Sequence, residues 1–170
     1  MKFVFCSFCT NATNRKGFTL LELLVVVMII GLLTSIAVPQ YNRSVRRAEM
    51  MEGLSHGKTI YDAALRYKSV NGEGPTNFNQ LDIGFAGATI NGSSFVDGNF
   101  TYILYPAQKK VTVQSNVGGY RLDMPFPTVS STGVSAPILC CPNRGDKNAE
   151  WLCKTSSGGA TASNGCYEIK

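Results

Sequence analysis

One stretch limits what this chain can become before any other residue is considered. From Leu23 to Leu33 every residue is apolar or glycine, and the wider segment Phe18 to Val38 spans 21 residues with a single charge, Glu22. At about 1.5 Å of helical rise per residue, that segment matches the roughly 30 Å hydrocarbon core of a bilayer. A helix apolar on all sides must lie in lipid or against other chains. The 170 residues leave room for about one domain, and from Asn71 to Lys170 the chain is rich in Gly, Ser, Thr and Asn. One end therefore reads as a membrane segment and the other as a small, loop-rich soluble domain.

Charge and cysteine placement refine this division. The net charge is +5, but Lys2, Arg15 and Lys16 supply three of these charges before residue 18. A nucleic-acid-binding domain gathers its basic residues into one patch. Here the dense cluster is Arg43, Arg46 and Arg47, just past the apolar run, and it reads as a solvated or headgroup-facing helix end. Three basic residues flank the run on each side, so charge alone does not orient it. Cys140, Cys141, Cys153 and Cys166 all lie in the last 31 residues, which points to disulfides made in an oxidising compartment.

A secretory signal with a small-x-small site at Ser35-Ile36-Ala37, or a plain anchor over Phe18 to Val38, would fit the hydropathy. Neither accounts for Glu22. A carboxylate inside an apolar helix costs about 2.5–3.5 kcal/mol at the bilayer centre and less near the edge. The nearest basic residues, Arg15 and Lys16, are off the helical i,i+4 spacing, so its partner is expected outside this stretch.

The octapeptide Lys16-Gly17-Phe18-Thr19-Leu20-Leu21-Glu22-Leu23 resembles the processing site of type IV prepilins and of type II secretion pseudopilins. The resemblance extends to Gly31, Pro39 and Tyr41 and covers about residues 15–70. It implies that a membrane-embedded prepilin peptidase cuts after Gly17 on the cytoplasmic side and methylates the new amino terminus at Phe18. Gly17 carries no side chain, so an extended backbone can approach a protease site closely. The new α-amine would then pair with Glu22 of a neighbouring subunit, offsetting two buried charges and fixing the axial register. The implied leader, residues 1–17, is longer than many in the family. Cys6-Ser7-Phe8-Cys9 within it has metal or redox spacing but no second pair nearby.

The expected fold class is α+β: a long amino-terminal helix packed on a small antiparallel sheet, with a disulfide-stapled carboxy-terminal region. The expected divisions are a leader over 1–17, a transmembrane and filament-core helix over 18–38, an amphipathic helix over 39–70 and a globular sheet domain over 71–170. Apolar or aromatic residues recur at Tyr41, Val45, Ala48, Met51, Leu54, Ile60, Ala64 and Tyr67, mostly at steps of three or four. Asn71-Gly72 and then Gly74-Pro75 stop the pattern. Pro39 removes a backbone hydrogen bond, and with Gly31 it marks 31–39 as the stretch expected to loosen during assembly.

Strands are expected at Phe100–Tyr105, Val111–Gln114 and Tyr120–Leu122, with Ile138–Cys141 as a further one and 72–99 as a connection containing a short apolar piece, Leu81 to Phe85. Adjacent cysteines in a strand face opposite sides, so Cys140 and Cys141 do not pair with each other and two connectivities remain. The expected one joins Cys141 to Cys153 and Cys140 to Cys166; the other exchanges the partners. A four-cysteine zinc site would need paired C-x₂₋₄-C spacing, which these residues lack.

Little else carries chemistry. The chain has no phosphate loop, no H-E-x-x-H and no G-x-S-x-G. Its single histidine, His56, reads as a surface helix position, and Asp82, Asp97, Asp123 and Asp146 are too scattered for a calcium loop. No enzyme activity, cofactor or metal is expected. The resemblance implies a pilin of a surface filament, or a pseudopilin of a type II secretion system. Its expected partners are other pilin subunits, the prepilin peptidase and methylase, and an inner-membrane assembly platform. Its expected location is the inner membrane as a single-pass precursor, then an extracellular pilus or a periplasmic pseudopilus. A reading of another class is a DNA-binding minor pilin, for which Lys109, Lys110, Arg121, Arg144, Lys147, Lys154 and Lys170 are available but not clustered in sequence.

Overall fold

The computed structural model describes residues 17–84, 89–127, 136–159 and 163–169. The leader before Gly17, including Cys6 and Cys9, and Phe85 of the short apolar piece lie outside the described residues. The chain divides into two units, one ending at Asn42 and one beginning at Arg43. A single helix, α1 (Leu20–Asn71), runs through the boundary and continues through Pro39 without interruption.

In the first unit α1 is the only regular element among the described residues, and every residue from Gly17 to Asn42 is exposed. Two of its hydroxyls are satisfied along the helix itself. The Thr34 hydroxyl donates to the carbonyls of Ile30 (2.9 Å) and Gly31 (3.1 Å), and that of Ser35 donates to Leu32 (2.7 Å). Such back-bonding lets a hydroxyl sit in an apolar helix with no outside partner.

The second unit joins the rest of α1 to an antiparallel sheet of seven strands: β1 (Thr89–Asn91), β2 (Ser94–Asp97), β3 (Phe100–Tyr105), β4 (Lys110–Ser115), β5 (Tyr120–Pro125), β6 (Ile138–Pro142) and β7 (Tyr167–Ile169). Spatial order is chain order, and each strand pairs antiparallel with the next. A second helix, α2 (Lys147–Ser156), lies between β6 and β7 in sequence. Phe100, Tyr102 and Leu104 alternate into the core with Val111 and Val113 from β4 and Tyr120, Leu122 and Met124 from β5, the period-two pattern of a sheet with one covered face. The residues of α1 that join them are Met50, Leu54, Ile60, Ala63 and Ala64.

The four strands expected from sequence are present, and α1 stops at Asn71 with Gly72 left-handed at φ 77° and its N–H donating to Lys68, a glycine cap. Three differences have physical causes. The apolar stripe was expected to run from Tyr41, but Tyr41 is 70%, Val45 37% and Met51 50% exposed, and the covered face starts at Met50. Residues 41, 45, 48 and 51 form a stripe on nearly the opposite side of the helix from 50, 54 and 57. The connection also contains a hairpin, β1–β2, turning at Gly92 with φ 59°. It is preceded by a short 3-10 turn, Phe78–Gln80, whose Phe78 edges against Phe95 at 4.8 Å. Finally, α2 was not expected; Asp146 caps it, accepting from the N–H groups of Asn148 (2.9 Å) and Ala149 (3.0 Å).

The disulfides join Cys140 to Cys153 and Cys141 to Cys166, the reverse of the expected pairing. Register decides it. Cys140 pairs with Tyr167 across β6 and β7, which brings Cys166 opposite Cys141 with Cα atoms 4.2 Å apart. Cys140 faces the other side, where α2 presents the fully buried Cys153. Cys140 and Cys141 do face opposite sides of β6, and the short strand β7, which leaves no periodic signal in the sequence, sets the partner of each.

Candidate functional site

The feature that sets this chain apart from a self-contained domain is the uncovered head of α1. Thr19 and Glu22 form a reciprocal cap. The Thr19 N–H (2.9 Å) and hydroxyl (2.9 Å) both donate to one Glu22 carboxylate oxygen, and the Glu22 N–H donates back to the Thr19 hydroxyl (3.2 Å). This is the T-x-x-E capping box, which satisfies orphan donors at a helix start. Glu22 therefore has a local hydrogen-bond partner three residues away, separate from the basic partner expected from outside the stretch. The signal was legible as Thr19-x-x-Glu22 before an apolar run. The cap supplies hydrogen bonds but no positive charge, so the carboxylate remains a charge in an apolar surface.

Gly17 and Phe18 precede the helix, and Phe18 is 83% exposed. Gly31 and Pro39 both lie inside α1, and a Cβ added at Gly31 would meet nothing within 4 Å. Gly31 and Pro39 thus share the helix that Gly17 and Phe18 lead into. Among the described residues α1 is the one helix long and apolar enough to cross a membrane.

At the start of the second unit, Arg43 and Arg47 each place a guanidinium carbon 5.1 Å from the Trp151 ring centroid. The helical i,i+4 spacing sets both arginines on one face, and α2 delivers the indole. Sequence reasoning placed the arginines at a helix end but had no means of bringing Trp151 to them.

The remaining candidates are structural. His56 is half exposed, with Nδ1 3.4 Å from the Tyr102 hydroxyl and 3.9 Å from Asp97, beside a small cavity of about 160 Å³ that Glu52 and Asn99 also line. Burial, with the Asp97 and Glu52 carboxylates adding to it, pushes the Tyr102 phenol well above its ordinary range, and burial pushes Tyr120 up to about 12. Both phenols stay neutral and act as packing groups. The scattered aspartates have separate duties. Asp82 pairs with Arg66, Asp146 caps α2, and Asp123 accepts from Lys110 Nζ (2.9 Å) and the Thr112 hydroxyl (2.8 Å).

Comparison with known proteins adds to this geometry. Residues 12–38 match the family model of the prokaryotic N-terminal methylation motif. A fimbrial protein of Pseudomonas aeruginosa is 28% identical over 145 residues, covering 82% of this chain and 85% of the relative. The type IV major fimbrial protein FimA of Dichelobacter nodosus is 26% identical over 158 residues, 91% of this chain and 97% of that protein. A fimbrial protein of Neisseria meningitidis serogroup A is 37% identical over 65 residues, 38% of each chain. No solved structure matches. The shared motif covers the uncovered helix head, and the likeness to type IV fimbrial proteins runs along most of the chain.

Proposed function

We propose that the chain is the precursor of a structural subunit, a pilin, of a type IV pilus-like surface filament. The observation that carries this reading is an apolar helix left uncovered among the described residues, every residue from Gly17 to Asn42 being exposed. Leaving so large an apolar surface in water is unfavourable at about 25 cal/mol per Å². Lipid covers it in the precursor and the helices of neighbouring subunits cover it in the filament. The apolar surface also continues past Val38 through Tyr41, Val45 and Met51, which the chain's own sheet leaves exposed. In this reading 1–17 is the leader, 18–38 the membrane and core segment, 39–70 the second half of the helix and 71–170 the outward domain.

Maturation follows from the same chemistry. Prepilin peptidase cuts between Gly17 and Phe18 and methylates the Phe18 amine, and the assembly platform passes the subunit from the inner membrane into the filament. The exposed cationic head then meets Glu22 of a neighbour, supplying the charge the Thr19 cap lacks. Gly31 and Pro39 give the segment between them the freedom to loosen as subunits pack. Likeness to fimbrial proteins over most of the chain favours a surface pilus over a secretion pseudopilus. Mass spectrometry of the mature protein tests the processing step: the expected terminus is N-methyl-Phe18, and a start elsewhere overturns it. Electron microscopy of sheared surface material tests the machine, since a periplasmic pseudopilus would leave no long filament carrying this chain.

A further inference from the structure

We infer that the Arg43–Trp151–Arg47 stack, with Lys147 and Lys154 beside it, is a binding site for the phosphate groups of anionic phospholipids, and that it seats the outer domain on the bilayer before assembly. The inference rests on the membrane-anchored precursor proposed above.

Four observations carry it. Both guanidiniums lie over one indole, each with its carbon 5.1 Å from the centroid. A ring attracts the cation without supplying a carboxylate acceptor, so guanidinium N–H groups remain for phosphate contacts. Arg43 and Arg47 are exposed, and among the described residues neither forms an ion pair with a carboxylate. On α2 the exposed Lys147 and Lys154 stand four residues before and three after Trp151, the spacing of one helix face. The acid next to the indole, Glu150, is engaged by the Tyr167 hydroxyl at 3.3 Å. Two guanidiniums thus lie over one half-buried tryptophan whose helix face also carries two lysines, and tryptophan favours the headgroup level of a bilayer.

Position supplies the occupant. Arg43 follows Val38, the end of the apolar segment, by five residues in the sequence. Basic residues so close to a membrane segment meet the negative surface potential of anionic lipid, each contributing roughly fivefold in association. Inorganic phosphate carries the same chemistry without the bilayer, and nucleic acid presents it on a polymer.

Trp151 is the one tryptophan in the chain, so its fluorescence reports on this site alone. The full chain is reconstituted into vesicles of neutral phosphatidylcholine and into vesicles containing about a third phosphatidylglycerol, with lipids brominated near the headgroup as quenchers. Co-flotation measures incorporation separately, and its failure in both vesicles strikes the membrane reading and not this site. With incorporation equal, the expected result is stronger Trp151 quenching in anionic vesicles, weakened by salt and reduced about twentyfold or more in apparent lipid affinity by Arg43→Gln with Arg47→Gln. Near-ultraviolet circular dichroism of that variant checks that the domain remains folded. Substitution of both arginines by lysine is expected to recover part of the response, since charge returns without the planar fork. Equal quenching in the two vesicles, or an unchanged response in the glutamine variant, overturns the inference. So does an emission change with millimolar inorganic phosphate, or with duplex DNA, that matches the effect of anionic lipid.

Discussion

Gly53 and Gly57 decide how closely α1 approaches the sheet. A Cβ on Gly57 would lie 2.5 Å from Val113 Cγ2 and 2.7 Å from Met124 Cε, and one on Gly53 would lie 2.6 Å from Phe100 Cε1. Val113 and Met124 are buried and have little room to move. Overpacking of this kind costs about 1–3 kcal/mol, against a gain of about 1 kcal/mol in helix propensity for alanine over glycine. Gly57→Ala is therefore expected to lower the thermal midpoint of the second unit, whereas Gly31→Ala, in open space on the same helix, is expected to leave it unchanged. Circular dichroism melts of the two variants in detergent make the comparison. Asp123 is a second residue with a defined load. It is buried, pairs with Lys110, accepts from Thr112 and lies 3.4 Å from Arg121. Asp123→Ala strands an ammonium and a hydroxyl and is expected to cost about 2–3 kcal/mol in denaturant unfolding, with Asp123→Asn milder because it still accepts from Thr112.

At the level of elements, the segment after α1 is held to the helix by a two-pronged ion pair, Arg66 Nε and Nη2 to the Asp82 carboxylate at 2.7 Å each. The hydrogen bonds from Arg66 hold the Asp82 carboxyl below its ordinary value of 3.8. Because the folded-state value is depressed, this contribution is fully present above the ordinary aspartate range and is lost as pH falls through the lowered value. The stability difference between the parent and Asp82→Asn is thus expected to be constant from about pH 7 to pH 5 and to be lost progressively as pH falls below the ordinary aspartate value. Both groups are exposed, so the effect is small. The disulfides offer a sharper test. A Cys140→Ser/Cys153→Ser variant is expected to keep one disulfide and show no free thiol among Cys141 and Cys166, at a cost of about 3 kcal/mol for a loop of this size. Cys140→Ser with Cys166→Ser is expected to leave two free thiols, and thiol titration of the denatured proteins distinguishes them.

These elements also show what the sequence could and could not convey. Long strands with clean alternation, such as Phe100–Tyr105, were legible because burial of one face writes itself into every second residue. The three-residue strands β1 and β7 have too few positions for a period, and α2 has only Ala149, Leu152 and Cys153 on its buried side. The helix head was the most legible part, because Glu22 inside an apolar run is a conflict that local propensity does not resolve. Its Thr19 cap was readable and went unread; the Trp151 stack depends on a tertiary contact between residues more than a hundred positions apart and left no local trace.

For the molecule as a whole, the central prediction concerns Glu22. Hydrogen bonds from Thr19 make the carboxylate tolerable at a water-facing helix start, but burial among neighbouring helices needs a counter-charge as well. Glu22→Gln keeps an oxygen that can accept from Thr19 and removes the charge. It is expected to enter the membrane normally and to cut filament yield at least about tenfold. The measurement is the ratio of sheared filament to membrane-bound subunit. Normal filament yield from this variant would remove the charge-pairing account of assembly.

The sheet whose spatial order is its chain order has a consequence for how such a subunit is made. No strand waits for a distant partner: β2 can close on β1, and β3 on β2, as each becomes available, so every loop closed up to β5 is short and inexpensive in entropy. Only the last part departs from this rule, since β7 returns to β6 after the ten residues of α2. Both cysteine bridges fall in that closing segment. The bridges therefore tie the pairing that closes the longest loop of the sheet, where a covalent link offsets the most chain entropy.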